Sequence, residues 1–301
     1  MSEQKRVERT AIAMLGLNGA LALVKGLAGY FGASLALMAE AVHSSVDILT
    51  SSGVLFGVKI SNKPPDTSHP YGHGKIESVI ACGISLILAY AGVSFMKESL
   101  LALKGLREPP TVMPLITAGV CLLIKEGMFR YTSRVARSSR SMALNADAWH
   151  HRADVYITAG VFTGILGARA GFPLLDPAAS MLVASLILLT AYRICRMALD
   201  QLLDASVDSD TLQIAEKAVL ARDGVSRVDF VAARRYGQYL YFDIGISVDN
   251  DLSVEEGHNV ATSAKRSLYS LIPRVSGVLI HVNPSRDQLD RTVREDLVGS
   301  G

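Results

Sequence analysis

The sequence has few cysteines and few charged residues, and each shortage excludes a class of protein. Cys82, Cys121 and Cys195 are the only three cysteines in 301 residues, and each lies alone inside an apolar run. Neither a disulfide framework nor a CxxC metal cluster is therefore expected. Charged residues make up 19% of the chain and hydrophobic residues 50%, and the mean hydropathy is +0.30. This balance is unusual for a soluble protein, so we predict a protein embedded in a lipid bilayer.

The charge distribution excludes a further class. Residues 1–204 contain 19 Lys and Arg against 14 Asp and Glu, whereas residues 205–301 contain 11 against 14. Neither part has the strong basic field that nucleic-acid binding requires, so no nucleic-acid partner is expected. The His-Glu-x-x-His string of zinc proteases is also absent from the sequence. We therefore expect a protein that is not an enzyme.

Long apolar runs predict six transmembrane helices, because each run is close to the roughly 20 residues that cross a bilayer. The first run lacks the Ala-x-Ala exit of a cleaved signal peptide, so we interpret it as a retained helix. The six runs cover residues 11–31, 35–58, 78–101, 112–129, 142–168 and 175–199.

Basic residues near the ends of these runs predict the orientation of the chain. Only Lys104, Arg107 and Arg169 lie on one side. By the positive-inside rule, both termini and the loops at 59–77 and 130–141 are then cytoplasmic. The basic residues on that cytoplasmic side are Lys5, Arg6, Arg9, Lys59, Lys63, Lys75, Arg130, Arg134, Arg137 and Arg140.

The last third of the chain alternates between helical and strand periodicity. Helical spacing occurs in 208–221 and 254–271, and period-two spacing in 225–233 and 239–248, while Val278 to Val282 forms a last apolar strand. This α-β-β-α-β order predicts a small α+β domain of the ferredoxin-like or metallochaperone-like type, with both helices on one face of its sheet. The predicted domains are a transport domain at 1–204, a cytoplasmic regulatory or dimerisation domain at 205–285 and a disordered tail at 286–301.

Two of the predicted spans contain the same nine-residue pattern, Ala-acid-Ala-x-His-x-x-x-Asp. It ends in His43 and Asp47 in the second span and in His150 and Asp154 in the fifth. The four-residue spacing places each His and Asp on one helix face. Ionisable side chains in mid-membrane indicate function, and two imidazoles with two carboxylates suit tetrahedral Zn²⁺. The alternative is a structural hydrogen bond between His and Asp within each helix.

Other ionisable residues have two open interpretations each. Asp66, His69 and His73 form a three-ligand metal site or belong to a solvated turn. Glu40 and Asp147 each precede a histidine by three residues, so they line the two access routes or form hydrogen bonds between helices. His151 points about 100° away from His150, which makes it a neighbour of the site rather than a ligand.

Together, the six spans, the paired His-x-x-x-Asp helices, the His-Pro-Tyr-Gly-His-Gly-Lys loop and the α-β-β-α-β tail resemble the cation diffusion facilitator family of divalent-metal transporters. The resemblance implies a homodimeric metal/proton antiporter and no bound cofactor. Its transport site would be His43, Asp47, His150 and Asp154, with a loop site at Asp66, His69 and His73. Members with two His and two Asp are mostly zinc exporters. The loop and tail are also similar to magnetosome-associated iron members.

The resemblance has further implications, and the alternatives stay open. Lys75 and Asp204 would form a charge interlock between subunits. The chain lacks the His-rich loop of eukaryotic relatives between its fourth and fifth spans, which favours a bacterial inner membrane. The transported ion could also be Fe²⁺, Mn²⁺, Cd²⁺ or Co²⁺, or the protein could be a non-transporting metal sensor or scaffold. The family's tail ligand positions correspond to Asp229, Gly245, His258, His281 and Asn283, of which Gly245 cannot ligate and Asn283 ligates poorly. The tail residues Asp229, His258 and His281 therefore form a weak regulatory Zn²⁺ site, or the two histidines are ordinary surface residues.

Overall fold

The computed structural model describes residues 3–61, 66–104, 108–139, 141–237 and 239–285, and it describes no side chain for residues 3–8, 50–61, 142 or 143. The predicted disordered tail, Lys63, Arg107 and Arg140 lie outside the described residues. The elements are α1 (Glu3–Phe31), α2 (Leu35–Ser61), α3 (Ile76–Lys104), α4 (Val112–Ser139), α5 (Met142–Arg169), α6 (Leu175–Leu202), α7 (Ser209–Leu220), β1 (Arg227–Tyr236), β2 (Tyr239–Val248), α8 (Val254–Leu271) and β3 (Val275–Pro284).

Six long helices therefore precede the tail, as the apolar runs predict. Four of them are long and apolar enough to cross a membrane over their described residues, namely Arg9–Phe31, α3, α4 and α6. Only residues 35–49 of α2 have described side chains, and α5 contains several ionisable residues, which lower its hydropathy. The two helices that are not in this apolar set are the two that carry the repeated His-x-x-x-Asp pattern.

The fourth helix differs from its predicted length. The sequence predicts an end near residue 129 and a basic loop at 130–141, whereas α4 continues to Ser139. No Gly or Pro interrupts residues 130–139, and Thr132, Val135 and Ala136 continue the buried face of the helix. The helix therefore continues through this basic segment, beyond its apolar part.

The six-helix region packs through small residues and one cap between helices. A Cβ on Gly164 of α5 would lie 2.6 Å from the Cβ of Ala179 in α6, so glycine permits this close approach. Ser34 precedes α2, and its hydroxyl accepts from the Leu37 N–H (3.2 Å) and donates to Asp176 Oδ1 (2.5 Å). Asp176 also accepts from the Leu35 N–H, so a residue of α6 fixes the start of α2.

The tail forms a three-stranded sheet in the order β1-β2-β3, with β1 antiparallel and β3 parallel to β2. Phe242, Ile244, Ile246 and Val248 of β2 point to one face, where they pack with apolar residues of α7 and α8. Gly237 connects β1 to β2 with φ +59°, a left-handed conformation that favours glycine. The α-β-β-α-β order of the tail is confirmed.

The chain divides into two compact units. One contains Met1–Gly57 and Val79–Ala198, and the other contains Val58–Ser78 and Leu199–Gly301. The first unit holds the repeated His-x-x-x-Asp residues, and the second holds the loop at 66–75 together with the tail.

Candidate metal centre

Three of the four predicted transport ligands converge between α2 and α5. One ligand atom each from His43, Asp47 and Asp154 lies within 4.8 Å of the others. His43 is 8% exposed, and its Nδ1 has no hydrogen-bond partner among the described residues. One imidazole and two carboxylates are donors that suit a divalent transition metal.

His150 contacts this group through Asp47. Its Nε2 lies 3.5 Å from Asp47 Oδ2, and its side chain is 45% exposed. This contact joins α5 to α2, whereas the alternative interpretation places the His–Asp contact within one helix. His150 lies outside the tight three-residue group, so a four-ligand site requires its imidazole to turn toward His43 and Asp154.

Lys125 of α4 reaches the same site and is not among the site residues predicted from the sequence. Its Nζ lies 2.5 Å from Asp154 Oδ2 and 2.6 Å from Asn18 Oδ1 of α1. The side chain of Lys125 is 1% exposed and that of Asp154 is 6% exposed. A candidate metal ligand is therefore also half of a buried ion pair.

Lys25 of α1 forms a second buried ion pair with Glu40 of α2, which lies about one helical turn before His43. Its Nζ lies 2.5 Å from Glu40 Oε1 and 3.5 Å from Ser44 Oγ. The Thr158 hydroxyl of α5 donates to the same oxygen of Glu40. Glu40 is only 2% exposed and is bonded to Lys25 of α1 and Thr158 of α5, while its role on an access route stays a prediction.

The sequence carries a signal for both lysines. Lys25 and Lys125 lie inside the first and fourth apolar runs, where an unpaired ammonium is unfavourable. The rule that identified the histidines and aspartates of the second and fifth spans applies equally to these two residues. Their acceptors, however, could not be inferred from spacing, because they lie on other helices.

Asp147 and His151 lie one turn apart on α5. Asp147 Oδ2 is 3.5 Å from His151 Nε2, and the side chain of Asp147 is 38% exposed while that of His151 is 1% exposed. Neither ring nitrogen of His151 has a hydrogen-bond partner among the described residues. His151 is not part of the three-residue ligand group, in agreement with its predicted position beside the site.

The structure also brings the three loop residues together. Asp66 Oδ1 lies 3.3 Å from His69 Nδ1, Asp66 Oδ2 lies 3.4 Å from His73 Nε2, and one ligand atom of each lies within 4.8 Å of the others. Asp66 accepts from the backbone N–H groups of His69 (2.7 Å) and Ser68 (3.0 Å). These bonds, helped by the His69 side chain, hold the pKa of Asp66 below its ordinary value, so the residue is an anion at neutral pH.

This loop contacts the β1-β2 hairpin within the second unit. The Tyr236 hydroxyl donates to the Gly72 carbonyl at 2.7 Å. A Cβ on Gly74 would lie 2.3 Å from Tyr236 Cδ1, so the loop backbone rests directly on the aromatic ring. Burial between these groups raises the pKa of Tyr236.

Lys75 and Asp204 contact each other within one chain. Lys75 Nζ lies 3.1 Å from Asp204 Oδ1 and donates to the Leu202 carbonyl at 3.3 Å. The resemblance implies a contact between subunits, and that part stays a prediction. Asp204 has φ +54°, a left-handed conformation that Asp adopts more readily than most residues.

The predicted tail ligands do not converge within one chain. Neither metal-ligand group among the described residues contains Asp229, His258 or His281. His281 pairs with Gly245 on the face opposite α8, which carries His258, and the Phe230 ring covers Gly245.

Asp229 is instead engaged by its neighbours. Its carboxylate accepts from Asn283 Nδ2 (3.0 Å), Ser247 Oγ (2.8 Å) and Arg227 Nε (2.8 Å). Partial burial opposes ionisation, but these bonds outweigh it and lower the pKa of Asp229.

Comparison with known proteins agrees with this architecture. The cation efflux transmembrane domain matches residues 11–203, and the cation efflux protein cytoplasmic domain matches residues 207–285. The chain belongs to the cation diffusion facilitator family of divalent metal cation efflux transporters, and it is a multi-pass membrane protein.

Two relatives match almost the whole chain. The manganese efflux system protein MneP of Bacillus subtilis is 32% identical over 94% of this chain and 98% of its own length. The magnetosome protein MamB of Paramagnetospirillum magneticum is 30% identical over 88% of this chain and 90% of its own. A solved MamM CTD structure covers 26% of this chain and 94% of its own at 20% identity and a TM-score of 0.25.

Proposed function

We propose that this transporter exports Zn²⁺ in exchange for protons, through a site formed by His43, Asp47, His150 and Asp154. The observation that carries the proposal is the convergence of His43, Asp47 and Asp154 between α2 and α5, where the buried His43 Nδ1 has no hydrogen-bond partner in the described part of the chain. His150 approaches the same group at 3.5 Å from Asp47.

The ligand types support zinc. Imidazole nitrogen is a good ligand for Zn²⁺, whereas Mn²⁺ and Mg²⁺ prefer sites made of oxygen atoms. Two imidazoles and two carboxylates also complete the four-coordinate tetrahedral shell that Zn²⁺ adopts.

Manganese is the second candidate cargo, and one observation favours it. The relative that is 32% identical over 94% of this chain is named as a manganese efflux system protein. Iron is a third candidate, because the relative MamB is named as a magnetosome protein. Carboxylate oxygens from Asp47 and Asp154 suit both ions. A non-transporting metal sensor of the same fold remains the alternative to transport.

The proposed proton coupling follows from the ligand chemistry. An imidazole must be neutral to bind a metal, so a proton and a metal ion compete for His43 and His150. A site that loads metal on the cytoplasmic side and meets protons on the other side then releases its metal there. In this proposal both termini lie in the cytoplasm of a bacterial cell, and the helices lie in its inner membrane.

We also propose a homodimer with regulatory metal sites. Asp66, His69 and His73 form the loop site. Because His258, His281 and Asp229 do not converge within one chain, a tail site would require residues from two tails. Phe230, which is 40% exposed, and Leu279, which is 66% exposed, are available for such an association.

Metal flux in proteoliposomes tests the proposal. Protein reconstituted with an imposed pH gradient is offered Zn²⁺, Mn²⁺, Fe²⁺, Cd²⁺ and Co²⁺ in separate experiments. We expect Zn²⁺ flux to be fastest and to collapse when an ionophore removes the pH gradient. Faster Mn²⁺ flux would make manganese the cargo, gradient-independent flux would remove the antiport step, and absence of flux with every ion would favour the sensor.

A further inference from the structure

We propose that Lys125 is an affinity-determining residue of the transport site, a tethered cation that competes with the metal ion for Asp154. The inference rests on the proposed function, because it takes Asp154 to be a metal ligand.

The geometry makes the competition direct. Lys125 Nζ lies 2.5 Å from Asp154 Oδ2, inside the distance of a strong charge-assisted hydrogen bond. The same carboxylate supplies a ligand atom within 4.8 Å of His43 and Asp47. A metal ion and the Lys125 ammonium therefore compete for the oxygen lone pairs of one carboxylate. Binding of either one weakens binding of the other.

Charge makes the competition strong. Asp47 and Asp154 give the site a formal charge of −2, and Lys125 reduces it to −1, so a divalent ion brings the total to +1 instead of 0. The side chain of Lys125 is 1% exposed, so water screens little of this repulsion. Such a cation keeps metal affinity low enough for release, which transport requires as much as binding.

Asn18 gives the ammonium a second acceptor. Its Oδ1 lies 2.6 Å from Lys125 Nζ, and Asn18 is 8% exposed. A buried ammonium that loses every acceptor is strongly destabilised. Asn18 therefore lets Lys125 keep one hydrogen bond while the metal ion takes over Asp154. It is a positioning residue, since it acts through Lys125.

This arrangement predicts effects of opposite sign. Lys125→Met removes the competing charge, so metal affinity should rise about tenfold or more. Asn18→Leu leaves the ammonium with Asp154 alone, so metal affinity should fall. Asn18→Asp, which has nearly the same shape as the wild-type residue, draws the ammonium away from Asp154 and should raise affinity. General damage to packing would lower affinity in all three variants.

The test measures Kd for Zn²⁺ and Mn²⁺ by chelator competition on the purified full-length protein. Every protein carries Asp66→Ala and His69→Ala, so that the loop residues do not contribute. Only the binding that Asp154→Ala and Asp47→Ala both remove is assigned to the transport site, because Asp154→Ala also leaves the buried Lys125 without its anion. Lys125→Arg, which keeps the charge, should stay near the parent affinity. Flux of Lys125→Met in proteoliposomes should show a lower KM together with a lower maximum rate, because release becomes slow.

The outcomes separate the two proposals. If Asp154→Ala leaves all metal binding intact, the proposed transport site is wrong. If Asp154→Ala removes binding but folded Lys125→Met binds metal no more tightly than the parent, the role of Lys125 is overturned. If Lys125→Met does not fold, the comparison of Asn18→Leu with Asn18→Asp tests the role of Lys125. Equal affinities of Asn18→Leu and Asn18→Asp would also overturn the proposal.

Discussion

Lys25 and Glu40 form a buried ion pair that joins α1 to α2. Lys25 Nζ lies 2.5 Å from Glu40 Oε1, and the two side chains are 1% and 2% exposed. Because Thr158 donates to the same oxygen, a single carboxylate also joins α5 to this pair. Glu40 precedes His43 by less than one helical turn, so the network holds α2 and α5 together beside the proposed metal ligands.

We expect Glu40→Ala to destabilise the protein by about 3–5 kcal/mol, because it leaves the Lys25 ammonium buried without a counter-charge. Unfolding of the detergent-solubilised protein, followed by tryptophan fluorescence or thermal aggregation, measures the loss. The double variant Lys25→Met and Glu40→Leu replaces both charges by apolar groups and should recover most of the stability. A double variant as unstable as Glu40→Ala would mean that the pair is not the cause.

Lys25 and Lys125 also mark the limit of sequence-based prediction here. The repeated spacing that ends in Asp47 and Asp154 places each His and Asp on one helix face, which follows from helical geometry. The ion pairs Lys25–Glu40 and Lys125–Asp154 join different helices, whose packing the sequence pattern does not specify. Periodicity could predict the tail order, because each element is local. It could not predict that α4 continues to Ser139, because charged residues are compatible with either a helix or a loop.

Removal of one carboxylate should abolish transport. Asp47→Ala or Asp154→Ala takes away one of four proposed ligands, so we expect flux to fall to the level of empty liposomes. Asp154→Ala also leaves the buried Lys125 ammonium without its anion and should destabilise the protein, so Asp47→Ala, which should stay folded, is the cleaner variant. Wild-type flux in both would disprove the assignment.

The identity of one ligand should set metal preference. His43→Asp replaces an imidazole by a carboxylate, so the preference should shift from Zn²⁺ toward Mn²⁺. The ratio of initial flux rates for the two ions measures the shift. His151→Asn on α5 is the matched control, because His151 lies outside the ligand group and Asn adds no charge beside Asp147. An unchanged ratio in His43→Asp would mean that His43 does not contact the metal.

The loop at 66–75 should depend on its contact with Tyr236. A Cβ on Gly74 would lie 2.3 Å from Tyr236 Cδ1, so Gly74→Ala should force the loop away from the ring. We expect faster amide hydrogen exchange in residues 66–75, measured by mass spectrometry. Adding Tyr236→Ala removes the clash but also the hydroxyl bond to Gly72, so exchange should stay fast. Tyr236→Phe alone tests that bond and should have the smaller effect.

The start of α8 should loosen in acid. The Ser253 N–H (2.8 Å) and hydroxyl (2.7 Å) donate to Glu256 Oε2 and hold the pKa of Glu256 below its ordinary value of 4.5. The folded state therefore favours the ionised form. The stabilisation from these two bonds is complete above pH 4.5 and is lost as the pH falls through the lower pKa that Glu256 has in the folded state. Protection factors of residues 253–258 should fall in that window, and Glu256→Gln should remove this pH dependence.

The contact between Lys75 and Asp204 tests where the charge interlock acts. Their side chains are 36% and 38% exposed, so the coupling energy should be modest, about 0.5–1 kcal/mol. Lys75→Met and Asp204→Asn suit a double-mutant cycle, because Asn tolerates the φ of +54° that Asp204 adopts. If the pair lies within one chain, the coupling appears in the unfolding free energy of the protomer, measured at a protein concentration below the dimer dissociation constant. A pair between subunits gives coupling only in the free energy of dimer dissociation. Additive effects in both measurements would remove the interlock, since independent residues show no coupling energy.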